Sequence, residues 1–182
     1  MANDYLVSKW KLWYKSLDVN HDGKISIEDV EESRAKFSDL HKLDTEKSKQ
    51  VQENFTKWWN EFVFRGKTGE ISEQEFIDAL NNDLKADKAK FLEEMSRCFN
   101  IFFDVIDTNK DRSISEEEFL IAFKAYGHEN VALDTKFFKA YNPSADQLVS
   151  LRVIVDSWID FVTGEDASGS GSIVKTAFES GV

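Results

Sequence analysis

Two twelve-residue stretches begin Asp-x-Asn-x-Asp, one at Asp18–Asp29 (DVNHDGKISIED) and one at Asp107–Glu118 (DTNKDRSISEEE). Both place oxygen-bearing side chains at positions 1, 3, 5, 9 and 12 and an isoleucine at position 8. Carboxylates packed this closely repel one another unless a cation sits among them. Each stretch is also flanked by residues with helical periodicity. Before the first, Leu6, Trp10, Trp13, Tyr14 and Leu17 share one face of a helix over Asp4–Leu17. Before the second, Phe91, Met95, Phe99, Phe102, Phe103 and Ile106 do so over residues 86–106. Helix, acidic turn, isolated aliphatic residue and second helix form a unit that leaves few folds open.

Calcium takes six to eight oxygen ligands, and the EF-hand loop supplies them from these positions, with a backbone carbonyl at position 7. In loop one, Asp18, Asn20 and Asp22 are side-chain ligands, Lys24 lends its carbonyl, Ser26 stands at position 9 and Asp29 at position 12. Gly23 occupies position 6, where the chain turns with positive φ. The short arm of Asp29 reaches the ion less easily with both oxygens. Six-coordination suits Mg²⁺, so the loop is expected to be a mixed Ca²⁺/Mg²⁺ site. In loop three, Asp107, Asn109 and Asp111 are ligands, Ser113 gives a carbonyl, Ser115 stands at position 9 and Glu118 can bind bidentately. Arg112 replaces the glycine at position 6 and costs about 1 kcal/mol of backbone strain. Its charge is expected to be partly offset by Glu116 and Glu117, and Arg112→Gly to raise affinity. Two Ca²⁺ sites with Mg²⁺ competing are therefore expected.

The same layout recurs at 64–75 and 142–153. Aligning Ile71 at position 8 leaves Phe64, Gly66 and Thr68 at positions 1, 3 and 5, with only Glu75 as a carboxylate at 12. Aligning Val149 gives Asn142, Ser144 and Asp146, and Val153 at position 12. Both loops lack the oxygens to replace a hydration shell and are read as structural partners. The expected fold class is all-α: a compact four-EF-hand fold with short β-bridges between paired loops. Its pairs span 1–84 and 85–163, and a tail at 164–182 docks on the core. Asp44 is the expected N-cap of the second unit, and Ser72–Glu75 an expected capping box.

Fifteen Phe, five Trp and four Tyr supply a core, and a single Pro favours helices. The net charge of −11 disfavours nucleic acid and anionic membrane as partners. Cys98 is the only cysteine, so neither an internal disulfide nor a thiolate metal site is expected. The N-terminus lacks a signal-peptide core, and no apolar run reaches membrane-spanning length. A cytoplasmic location follows as the expectation.

The stretches YLVSKWKLWYKSLDVNHDGKISIEDV, FNIFFDVIDTNKDRSISEEEF and IVKTAFESGV resemble the invertebrate sarcoplasmic calcium-binding proteins, most closely the molluscan members. The resemblance covers the whole chain. It implies two EF-hand pairs and a role as a Ca²⁺/Mg²⁺ buffer in the sarcoplasm of muscle; some shellfish members are food allergens. Asp at the end of loop one and a non-glycine at position 6 of loop three are family variations. Many members keep a working fourth loop, and this chain departs there. No obligatory protein partner is expected, and the chain should be a monomer or weak dimer.

Two other readings compete. A calcium sensor similar to calexcitin would open a Met-rich groove, but there are two Met and the apolar positions hold rigid aromatics. A coelenterazine photoprotein-like cavity would use His, Tyr and Trp, whereas His21 lies in loop one, His41 in a turn and His128 in a linker. No nucleophile motif or phosphate-binding glycine loop marks an enzyme.

Overall fold

The computed structural model describes residues 1–182. Its helices are α1 (Asp4–Leu17), α2 (Ile27–Leu40), α3 (Thr45–Trp58), α4 (Glu73–Ala86), α5 (Lys88–Ile106), α6 (Glu116–Ala125), α7 (Val131–Ala140), α8 (Leu151–Thr163) and α9 (Gly171–Glu179). Two short strands, β1 (Ser113–Ser115) and β2 (Leu148–Ser150), complete the all-α EF-hand architecture.

Helix starts follow the capping chemistry of the sequence. Asn3, Asp44 and Asp87 accept from the backbone N–H of Leu6, Lys47 and Lys90. Ser26, Ser72 and Ser115 form reciprocal capping boxes with Asp29, Glu75 and Glu118. Each cap satisfies orphan donors and is worth about 1 kcal/mol. Asp87 also ends α4, so the third unit's helix starts at Lys88 rather than at 86.

One local feature departs from simple helical periodicity. Beyond Trp58 the chain widens into a π-helical turn over Trp59–Phe64, closed by Arg65 in the left-handed region. Trp59, Phe62, Val63 and Phe64 are all buried there. A regular 3.6-residue period would rotate one of three consecutive apolar residues towards water; the wider turn keeps all three inside.

The position-8 residues bridge the loops in pairs. Ile25 and Ile71 exchange hydrogen bonds of 3.3 and 2.8 Å, and Ile114 lies opposite Val149 where β1 and β2 run antiparallel. Both pairs share one core, because α1 packs on α8 and α9, α2 on α6, and α3 and α4 on α5. Trp10, Trp13, Trp58 and Trp59 are almost wholly enclosed in it.

The glycines of the tail fit a close approach. A Cβ on Gly171 would lie 2.4 Å from the backbone nitrogen of Phe161, and its own N–H donates to Asp160 at 2.7 Å. The helix that follows, α9, lies against α8, with Phe178 among the rings of Trp158, Phe161 and Phe137. No helix is long and apolar enough to cross a membrane.

Candidate metal sites

Loop one joins α1 to α2, and loop three joins α5 to α6. Positions 4 and 6 are left-handed in both: His21 (φ 57°) and Gly23 (φ 89°), Lys110 (φ 58°) and Arg112 (φ 63°). Position 9 is the N-cap of each exiting helix and position 12 its third residue, so the capping box and the last two ligand positions are the same residues.

In loop one, Asp18 accepts from Asp22 N–H (3.1 Å) and Gly23 N–H (2.8 Å). Asn20 Oδ1 accepts from Asp22 N–H, and Asp22 from Lys24 N–H. Asp29 is wholly buried and accepts from Ser26 N–H at 2.7 Å and Asn20 N–H at 3.2 Å. Burial pushes its carboxyl up; those backbone donors oppose the shift, and the charge of Asp18 adds to it. The side chain of Lys24 pairs with Glu70, outside the ligand set.

Loop three repeats the pattern. Asp107 Oδ2 accepts from Arg112 N–H (3.0 Å), Asn109 from Asp111 N–H (3.0 Å) and Asp111 from Ser113 N–H (2.9 Å). Glu118 holds Ser115 N–H at 3.0 Å. The charge of Arg112 is neutralised elsewhere than expected. Its guanidinium pairs with Asp104 of α5 at 3.0 Å, as does Lys110 at 3.1 Å, not with Glu116 or Glu117. Those two glutamates lie on the first turn of α6, whereas a left-handed Arg112 carries its side chain back to α5.

The donor set fits a hard cation. Every side-chain ligand position presents oxygen, and Asp107 Oδ1 is buried with no hydrogen-bond partner, an acceptor that a cation would satisfy. As the side chains stand, no three acidic, His or Cys groups converge on one point. The carboxylates are instead spread over the loop's own N–H groups, which spares them mutual repulsion.

The other two loops keep the left-handed turn at position 6 but not at position 4, and they present fewer side-chain oxygens. Position 6 is left-handed in both, at Gly69 (φ 87°) and Gln147 (φ 60°). Glu75 is engaged by Ser72, through its N–H and hydroxyl at 2.9 Å each. In 142–153, Ser144 N–H donates to Leu148 O and Gln147 N–H to Ser144 O, both at 2.9 Å. Backbone closes this turn by itself.

Sequence patterning missed His128. Its half-buried ring packs against Phe123 and Phe178, and desolvation pushes its pKa down to about 4. It lines a central cavity of about 40 Å³ together with Trp13, Trp58, Phe99, Phe102 and Phe123. A linker position carries no periodic signal, so only the folded chain reveals this placement.

No protein-family model matches the chain. The sarcoplasmic calcium-binding protein of Mizuhopecten yessoensis is 57% identical over 97% of this chain and 99% of its own length. That of Perinereis vancaurica tetradentata is 29% identical over 69% and 71%. Among solved structures, the calcium-loaded apo form of the coelenterazine-binding protein from Renilla muelleri superposes with a TM-score of 0.76 at 23% identity, covering 93% of each chain, a likeness of fold. With more than half its residues identical to a bivalve member over nearly its full length, the chain belongs to the sarcoplasmic calcium-binding protein family.

Proposed function

We propose that the protein is a Ca²⁺ buffer of muscle sarcoplasm that binds two ions, one in each of the loops Asp18–Asp29 and Asp107–Glu118, with Mg²⁺ competing at the first. The ligands are Asp18, Asn20, Asp22, Lys24, Ser26 and Asp29 in one, and Asp107, Asn109, Asp111, Ser113, Ser115 and Glu118 in the other. The observation that carries this reading is the coincidence, in these two loops only, of a left-handed turn at positions 4 and 6 with a full oxygen set. The ion, when bound, supplies the charge that lets these carboxylates sit together. A buffer binds without exposing a new surface, which suits a core of interlocked aromatic rings. The family name, which speaks of calcium and sarcoplasm, supports the same role.

Single-site variants test it. Asp18→Asn and Glu118→Gln should each lower the Ca²⁺ stoichiometry from two to one. Two ions retained in either variant would refute the assignment.

The central cavity favours a second reading, since a protein of similar fold is named for binding coelenterazine. Size argues for the first. The cavity of about 40 Å³ is well short of the roughly 150 Å³ that admits one benzene, so a ligand of several rings has no room in this state.

A further inference from the structure

Loop one touches the opposite half of the molecule away from its ligand positions. His21, at position 4, reaches across the fold, and its Nε2 donates to the carbonyl of Gly127 at 2.8 Å. Val19, at position 2, has its carbonyl so near Gly127 that a Cβ there would lie 2.3 Å from the oxygen. In the last turn of α1, two residues before the loop, Ser16 O accepts from His128 Nε2 at 3.3 Å. Loop one is therefore clamped on the Gly127–His128 turn that joins α6 to α7.

That turn is the far end of the helix leaving loop three. The ten residues of α6 begin just after Ser115 and hold Glu118, position 12 of loop three, in their first turn. At about 1.5 Å rise per residue, α6 is a short rigid rod with a ligand position at one end and the clamp at the other. Along its length it packs on α2, whose own first turn holds Asp29, position 12 of loop one. Each loop's final ligand position thus sits on a helix in contact with the other. Within each pair, by contrast, the bridged partner loop lacks a ligand set, so no second ion lies beside either site.

We propose that α6 and the clamp of His21 and Val19 on Gly127 couple the two ion sites across the halves, so that filling loop three tightens loop one. The inference rests on the two-site reading above. An ion that draws in Glu118 fixes the start of α6, and the rod carries that constraint to Gly127 and into positions 2 and 4 of loop one. Thermodynamic linkage makes the effect reciprocal.

The test is a site-resolved Ca²⁺ titration of the full chain by ¹H–¹⁵N NMR. The amide of Gly23, which donates to Asp18, reports loop one, and that of Arg112, which donates to Asp107, reports loop three. A double-mutant cycle compares wild type, Glu118→Gln, His21→Ala and the double variant. Disabling loop three should weaken loop one by at least about fivefold in the wild-type background and by less than about twofold with His21→Ala. Gly127→Ala, which changes no loop residue but drives a Cβ against Val19 O, breaks the contact from the other side and should abolish the coupling likewise. Equal loop-one affinity with and without Glu118, or coupling that survives both clamp variants, would overturn the inference. Failure of the Gly23 and Arg112 amides to respond to Ca²⁺ in wild type would instead overturn the two-site reading itself.

Discussion

Arg112 stands at the left-handed turn of loop three and pairs with Asp104 of α5 at 3.0 Å, so its charge is answered from the helix that enters the loop. A φ of 63° lies in the left-handed region, which costs a non-glycine residue backbone strain. Arg112→Gly should raise thermal stability by up to about 1 kcal/mol, because Gly's larger unfolded-state entropy offsets part of the relief. Loop-three affinity should change by less than about fivefold, near 1 kcal/mol. A tenfold gain in affinity would exceed what relief of this strain supplies.

Asp29 is the shorter-armed counterpart of Glu118, and both hold the N–H of position 9. Asp29→Glu keeps the capping box and extends the carboxylate. It should shift loop one towards Ca²⁺ over Mg²⁺ by about tenfold, or ~1.4 kcal/mol. Competition titrations of the two ions, compared with wild type, measure that ratio directly.

His128 is half-buried, and desolvation holds its pKa at about 4 against an ordinary 6.5. The unfolded chain takes up a proton first as pH falls, so stability is lost between pH 6.5 and 4, by up to about 3 kcal/mol. His128→Gln can keep the donor to Ser16 O and should flatten this part of the stability profile. Urea unfolding at pH 7, 5.5 and 4 checks it.

Asp134 acts in the opposite sense. It is buried in α7, its Oδ1 has no partner, and burial pushes its pKa up to about 7. The folded state therefore holds a proton that the unfolded state releases near pH 4. Stability attributable to this group falls as pH rises from 4 to 7 and stays low above 7. Asp134→Asn should raise the melting temperature at pH 8 and leave it nearly unchanged at pH 4.

Gly171 lies where a Cβ would meet the backbone of Phe161. Gly171→Ala should lift α9 from α8, expose Phe178 and cost about 1–3 kcal/mol. Hydrogen exchange in Ile173–Phe178 and a thermal melt would detect it.

The loop turns, the caps and the loop bridges are legible because their chemistry is local: an oxygen-bearing side chain every second residue, a serine three residues before a carboxylate, an aliphatic residue at position 8. The destination of Arg112 was not, because which carboxylate meets a left-handed arginine depends on where the preceding helix points. The contact of His21 with Gly127 joins residues more than a hundred apart and leaves no periodic trace. Asp134 carries no sequence signal of its burial, because the packing of α7 and not its own spacing removes its water. The π-helical turn at Trp59–Phe64 was hidden because an apolar run fits either period.

The most direct test of the central claim is calorimetric titration of the purified chain with Ca²⁺, in the absence and presence of millimolar Mg²⁺. Two ions per chain should bind, and Mg²⁺ should lower the apparent affinity of one of them. Three or four ions, or two affinities indifferent to Mg²⁺, would contradict it.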